Sequence, residues 1–75
     1  MIIVDQKMLG ESIRRRRTEL GLAQESFAEK CGLHRTYIGG VERGERNITI
    51  NTLNIISNCL NISPAHLIKE SQSNV

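Results

Sequence analysis

The stretch from Gln24 to Gly44 constrains this chain more than any other part of it. A small residue, Ala28, stands four positions before a glycine, Gly32; two apolar residues, Ile38 and Val41, follow, and a second glycine, Gly44, closes the run. A small residue lets two helices cross closely. A glycine supplies the positive φ of a tight turn at no steric cost. Two apolar residues one turn apart then anchor the second helix to whatever lies behind it. Two short helices joined by a tight turn, with Gly44 ending the second, satisfy all these positions together. Any one of these features is common; the whole constellation between two further amphipathic segments is specific.

The flanking sequence reads as helix throughout, and five helices are expected in all. The first runs from about Asp5 to Leu20, with Asp5 as its cap, Leu9, Ile13 and Leu20 on one stripe, and Gly21 ending it. The second covers Gln24 to Cys31 and buries Phe27 and Ala28. The third starts at His34 or Arg35, ends at Arg43 and buries Ile38 and Val41. The fourth starts near Thr49 or Ile50, buries Leu53, Ile56 and Leu60, and is followed by Asn61, which tolerates positive φ. Ser63-Pro64 opens the fifth, a capping residue before a proline in the first helical position. Ala23 and His34 are poor capping residues for the second and third helices. Met1–Val4 and Ile48–Ile50 are too short to outweigh these signals as strands, and Ser71–Val75 reads as a frayed end.

Size and composition narrow the function classes. Seventy-five residues make one small domain, with 39% apolar residues and only Phe27 and Tyr37 as aromatics. That excludes a large enzyme built around a deep cleft, and equally a disordered tail. Burial barely offsets chain entropy at this size, so association of copies is an expected source of stability. The longest apolar run, Met1–Val4, is far short of the roughly 20 residues that span a bilayer, and no signal peptide is evident, so a soluble cytoplasmic chain is expected. Cys31, Cys59, His34 and His66 are isolated in sequence and lack zinc spacing; small buried thiols in a reducing compartment are the simple reading. No metal, cofactor or catalytic residue is expected.

The charge is lopsided. Nine of the ten basic residues (Lys7, Arg14, Arg15, Arg16, Arg17, Lys30, Arg35, Arg43 and Arg46) precede residue 47, and the net charge is only +2. Local placement therefore carries any argument for a polyanionic partner. At about 100° per residue, Arg35, Thr36, Gly39, Gly40 and Arg43 share one face of the third helix, and Ile38 and Val41 lie opposite. Gly39-Gly40 alone would suggest a turn; the flanking anchors favour the helix. Two guanidiniums and a hydroxyl with little bulk between them suit the major groove of DNA. Arg35 is placed for guanine O6 and N7, Thr36 for a thymine methyl or a base edge, and Gly39 and Gly40 for close approach. Arg43, Arg46 and Asn47 suit phosphates, as does Gln24 at the start of the second helix. Tyr37 flanks the face and fits either a phosphate contact or rim packing. Arg17 stands beside the core stripe of the first helix and needs an acid there, for which Glu42 is the candidate; Arg14, Arg15 and Arg16 are left mostly to solvent. In the nearly neutral last third, Asn51, Asn54 and Asn58 form a polar stripe, Ile55 lies off the core stripe, and Leu67 and Ile68 cannot both point inward. Ile55, Leu67 and Ile68 are thus candidates for a two-fold interface, or ordinary apolar surface.

These residues carry a resemblance. Residues 9–69 resemble the helix–turn–helix domain of the Xre/Cro-repressor family. The segment from Leu33 to Asn47, with Arg35-Thr36-Tyr37-Ile38 and Val41-Glu42-Arg43-Gly44-Glu45-Arg46-Asn47, is most similar to controller proteins of restriction–modification systems. The resemblance implies an all-α, compact five-helix, lambda-repressor-like domain that works as a homodimer on a pseudo-palindromic operator. It implies base contact through Arg35 and Thr36, backbone contact through Gln24, Tyr37, Arg43, Arg46 and Asn47, and a buried Arg17–Glu42 pair. It also implies a regulator that activates its own and an endonuclease gene at low occupancy and represses at high occupancy, through contact with RNA polymerase for which Glu25 and Glu29 are candidates. Ala23 departs from the family's usual Ser or Thr. A plain repressor from a phage or toxin–antitoxin locus, or a helical interaction module without DNA binding, are the competing expectations.

Overall fold

A computed structural model describes residues 2–74; Met1 and Val75 lie outside the described residues. The element order is β1 (Ile2–Val4), α1 (Gln6–Glu19), α2 (Gln24–Cys31), α3 (Arg35–Glu42), α4 (Ile50–Cys59), α5 (Pro64–Glu70) and β2 (Gln72–Asn74). The five expected helices are present at nearly the expected limits, because their ends are written in capping chemistry. Asp5 accepts from the Met8 N–H at 2.7 Å, Thr49 from Thr52 at 3.1 Å and Ser63 from His66 at 3.0 Å. Ala23 caps nothing. His34 does better than expected: its Nδ1 accepts from the Thr36 N–H at 3.2 Å, so the imidazole serves where a hydroxyl was missing. Gly32 and Asn61 adopt the left-handed conformation, with φ +68° and +60°. No helix among the described residues is long and apolar enough to cross a membrane.

The core takes one or two residues from each helix: Leu9 and Ile13 of α1, Phe27 and Ala28 of α2, Ile38 and Val41 of α3, Ile56 of α4 with Leu60 just beyond it, and Leu67 of α5. Leu20 differs from expectation. It follows the last residue of α1, where the helix has run past the core, and is 42% exposed; Leu22 packs against the core instead. Leu53 is only partly buried. α1 packs on α3 and α5, and α2 packs on α3 and α4.

Two features lay outside the sequence-based expectation. Most of the segment read as a frayed end is structured, Val75 lying outside the described residues: Ser71 is fully buried with its hydroxyl donating to the Leu67 carbonyl at 2.7 Å, and Gln72–Asn74 pairs antiparallel with Ile2–Val4. The other is Gly10. A Cβ placed there would lie 2.4 Å from the Val41 carbonyl oxygen and 2.5 Å from that of Glu42. The missing side chain lets α1 lie directly on the end of α3, and this contact fixes the height of α3 in the bundle.

Candidate nucleic-acid interface

The position of α3 is set from behind by a buried ion pair. Arg17 of α1 holds Glu42 with two parallel bonds, Nε to Oε2 at 2.6 Å and Nη2 to Oε1 at 2.9 Å. The Arg17 Nη1 donates to the Leu22 carbonyl at 2.8 Å, which ties in the turn before α2. Gln24 completes the network: its Nε2 donates to Glu42 Oε1 at 2.9 Å. Three elements thus converge on one carboxylate, and the pairing of Arg17 with Glu42 is as expected from sequence. Gln24 is not aimed outward as expected. Its amide is half-buried and spends a donor on Glu42, because a carboxylate with two oxygens has acceptor sites left after a bidentate arginine.

On the outer side, Arg35 and Thr36 are exposed, as are Arg43, Arg46 and Asn47. The face between them is less bare than the sequence suggests. Gly39 and Gly40 are helical as expected but buried. Gly39 is covered by the side chains of Arg43 and Gln24, whose nearest atoms would stand 3.2 and 3.5 Å from an added Cβ, and Gly40 is covered by Arg46. Long side chains fold over the gap that two glycines leave.

The cations on this face are held loosely. Arg35 Nη1 reaches Glu25 Oε2 at 3.3 Å, and Arg43 Nη2 reaches Glu45 Oε1 at 3.1 Å. All four side chains are at least 60% exposed. Such pairs contribute about 0–1 kcal/mol, so both guanidiniums can be surrendered to a stronger anion at little cost. Glu25, one of two acids singled out for a polymerase contact, is therefore engaged beside Arg35, while Glu29 is exposed without an ion pair among the described residues. Tyr37 is half-buried, with its hydroxyl donating to the Asn47 carbonyl at 3.4 Å; the Asn47 side chain meets Gln6 of α1. Both contacts brace the turn after α3.

Away from this face, Arg16 is not left to solvent. It grips Glu70 of α5 with Nε at 3.0 Å and Nη2 at 2.7 Å, and Arg15 adds a third bond to Glu70 at 3.1 Å. These bonds hold the Glu70 carboxyl below its usual range and push the Arg16 guanidinium up. Leu67, a candidate for a two-fold interface, is fully buried in the chain's own core and is unavailable to a second copy. Of the pair Leu67 and Ile68, the first points inward; Ile68 and Ile55 are half-buried. Ile50, which sequence patterning did not single out, is 78% exposed. Cys31 and Cys59 are free and half-buried. Burial and the neighbouring Cys59 thiol push the Cys31 thiol up to about 12, which leaves it protonated and inert near neutrality. Among the described residues no group of three or more metal-ligating side chains occurs.

Two short helices packed together and joined by a turn at Gly32, the second exposing arginine and threonine over a buried ion pair, define a helix–turn–helix protein. A helix-turn-helix family model matches residues 13–67, and the chain belongs to that family. Within it, the chain is similar to the control protein C.SmaI of Serratia marcescens, with 49% identity over 84% of this chain and 75% of that one. It resembles the solved structure of the restriction-modification controller protein C.AhdI from Aeromonas hydrophila, with a TM-score of 0.80 and 40% identity over 83% of this chain and 94% of that one. It also resembles the controller protein C.Esp1396I, solved as a tetramer in complex with its natural 35-base-pair operator, with a TM-score of 0.76 and 40% identity over 87% and 91% of the two chains.

Proposed function

We propose that this chain is a sequence-specific, double-stranded-DNA-binding transcription regulator of the restriction–modification controller type, acting in the bacterial cytoplasm. The observation that carries the reading is α3 itself: Arg35 and Thr36 stand exposed on its first turn, while Glu42 at its other end is locked to Arg17. A rigid helix with its base-reading side chains at its N-terminal end suits insertion in a major groove. Arg35 takes a guanine edge and Thr36 a thymine methyl or base edge. Arg43, Arg46 and Asn47 serve phosphates around them, joined by the Tyr37 hydroxyl once it turns from the Asn47 carbonyl, as do the N–H groups at the start of α2, which Ala23 leaves uncapped. Gln24 contributes more by steadying Glu42 than by reaching DNA.

The regulator works as a homodimer, with Ile55 and Ile68 in the two-fold contact, and two copies of α3 about 34 Å apart read a pseudo-palindrome. The similarity to a controller solved as a tetramer on its operator supports this assembly. RNA polymerase is the further partner. Glu29 is open to it, and Glu25 becomes open once Arg35 turns from it to a base.

Selection of bound sequences from a random duplex pool tests the reading. The expected product is an enriched inverted repeat whose half-sites are spaced by about one helical turn, with affinity falling steeply as salt rises. No enrichment, with binding insensitive to salt, would refute it.

A further inference from the structure

We infer that Gly40 is the seat of Arg46, and that the absence of a side chain at residue 40 aims the Arg46 guanidinium along the DNA-facing side of α3. The inference rests on the DNA-binding reading above and adds to it a positioning residue.

The three atoms nearest to a Cβ built on Gly40 all belong to Arg46: Cγ at 2.8 Å, Nε at 3.4 Å and Cδ at 3.7 Å. Carbons in ordinary contact stand about 3.5–4.0 Å apart, so a methyl group has no room while Arg46 keeps its course. The conflict begins at Cγ, close to the root of the side chain. Bending the tip does not relieve it; the stem must change rotamer, and the guanidinium moves with it. Gly40 lies opposite the core anchor Ile38 and is nevertheless buried, while Arg46 is exposed. The aliphatic stem thus lies flat on the helix and its charged head reaches water, as amphipathic side chains do over apolar surface. Arg46 has no ion pair among the described residues, unlike Arg35 and Arg43. Its head is free for an anion. Thr36, one turn before Gly40 on the same face, stands beside this path.

A glycine here has two possible uses, and they differ in outcome. If Gly40 serves close approach of DNA, an added methyl clashes with the duplex whether or not Arg46 is present. If it serves Arg46, the methyl matters only through Arg46. The backbone does not demand glycine, since Gly40 is absent from the positive-φ residues, and alanine favours the helix.

The test compares wild type, Gly40→Ala, Arg46→Ala and the double variant on a labelled mixed-sequence duplex of about 20 base pairs across a salt series. Gly40→Ala is expected to weaken binding about 3- to 10-fold and to lower the salt slope by about one per subunit. Its thermal midpoint should stay level or rise. In the Arg46→Ala background the same change should have no further effect. A loss of equal size in both backgrounds, or no loss in the wild-type background, overturns the seat. Nuclear Overhauser contacts between Gly40 Hα and the Arg46 γ and δ protons give a readout without DNA. Their presence in wild type is expected and their absence overturns the packing. A wild-type chain that shows them yet binds no duplex would sink the DNA-binding reading, and with it the aim of the guanidinium, while the packing itself stood.

Discussion

Glu42→Ala is the most informative single change to stability. Glu42 accepts three hydrogen bonds, from Arg17 Nε, Arg17 Nη2 and Gln24 Nε2, and its side chain is 2% exposed against 8% for Arg17. Truncation leaves a guanidinium under the protein with one remaining bond, to the Leu22 carbonyl. Breaking a buried pair in this way costs about 3–5 kcal/mol, most of it the penalty of an uncompensated charge. A chain of 75 residues has a total stability of about 4–11 kcal/mol, so the variant loses about a quarter of it or more. At about 4–8 °C per kcal/mol for a domain of this size, the thermal midpoint should fall by about 12 °C or more, measured by circular dichroism at one fixed protein concentration. Replacing both partners, as in Arg17→Met with Glu42→Leu, should recover most of the loss, because no charge is then stranded. A loss below about 1 kcal/mol for Glu42→Ala would show that water reaches Arg17, and would refute the argument.

Arg35→Ala should erase preference at one base pair per half-site, a discrimination of about 1–3 kcal/mol, while stability changes by less than about 1 kcal/mol because its pair with Glu25 is exposed; unchanged preference in a repeated duplex selection counts against its role. Gly10→Ala drives a methyl into the Val41 and Glu42 carbonyls and should destabilise by about 2 kcal/mol or more despite the better helix propensity; a thermal midpoint at or above wild type would contradict the contact. Ser57→Ala removes a fully buried hydroxyl with no partner among the described residues and should raise the urea midpoint by the equivalent of about 1 kcal/mol; a lower midpoint would mean the hydroxyl is satisfied. Glu70, held below the usual carboxylate range first by its bond to Arg16, contributes stability that is present above about pH 4.3 and lost as pH falls through its lower folded value. Glu70→Gln should therefore flatten the acid limb of the stability–pH curve, and an unchanged limb would argue against the clamp.

Much of the fold is legible because helix ends are local. Asp5, Thr49 and Ser63 announce starts, and Gly32 and Asn61 announce stops, through groups only a few residues away. The Arg17–Glu42 pair is legible for a different reason: an arginine on a core stripe demands an acid, and one acid lies on the inner side of α3. What stayed hidden depends on residues distant in sequence. Arg16 and Glu70 are 54 positions apart, and nothing near either one signals the other. The β1–β2 pairing joins the two ends of the described chain through three-residue strands, too short to show alternation. A helical wheel places Gly39 and Gly40 on the outer face correctly, yet it carries no information on whether Gln24, Arg43 and Arg46 lie across them. The need for glycine at position 10 comes from the Val41 and Glu42 carbonyls, which are distant in sequence, so nothing near it in α1 signals it. Leu67 and Ile68 are adjacent, and patterning left their assignment open until packing turned Leu67 inward.

The antiparallel pairing that sets Ile2 opposite Asn74 makes the path of the chain nearly circular. A few residues bridging that gap would join the strands with the helices undisturbed, and fresh ends could then be opened at an exposed point such as Leu20-Gly21 after α1. Circular permutation of this kind is tolerated where a cut breaks few contacts. The same closure means that a reporter attached through either strand emerges at one and the same corner of the molecule.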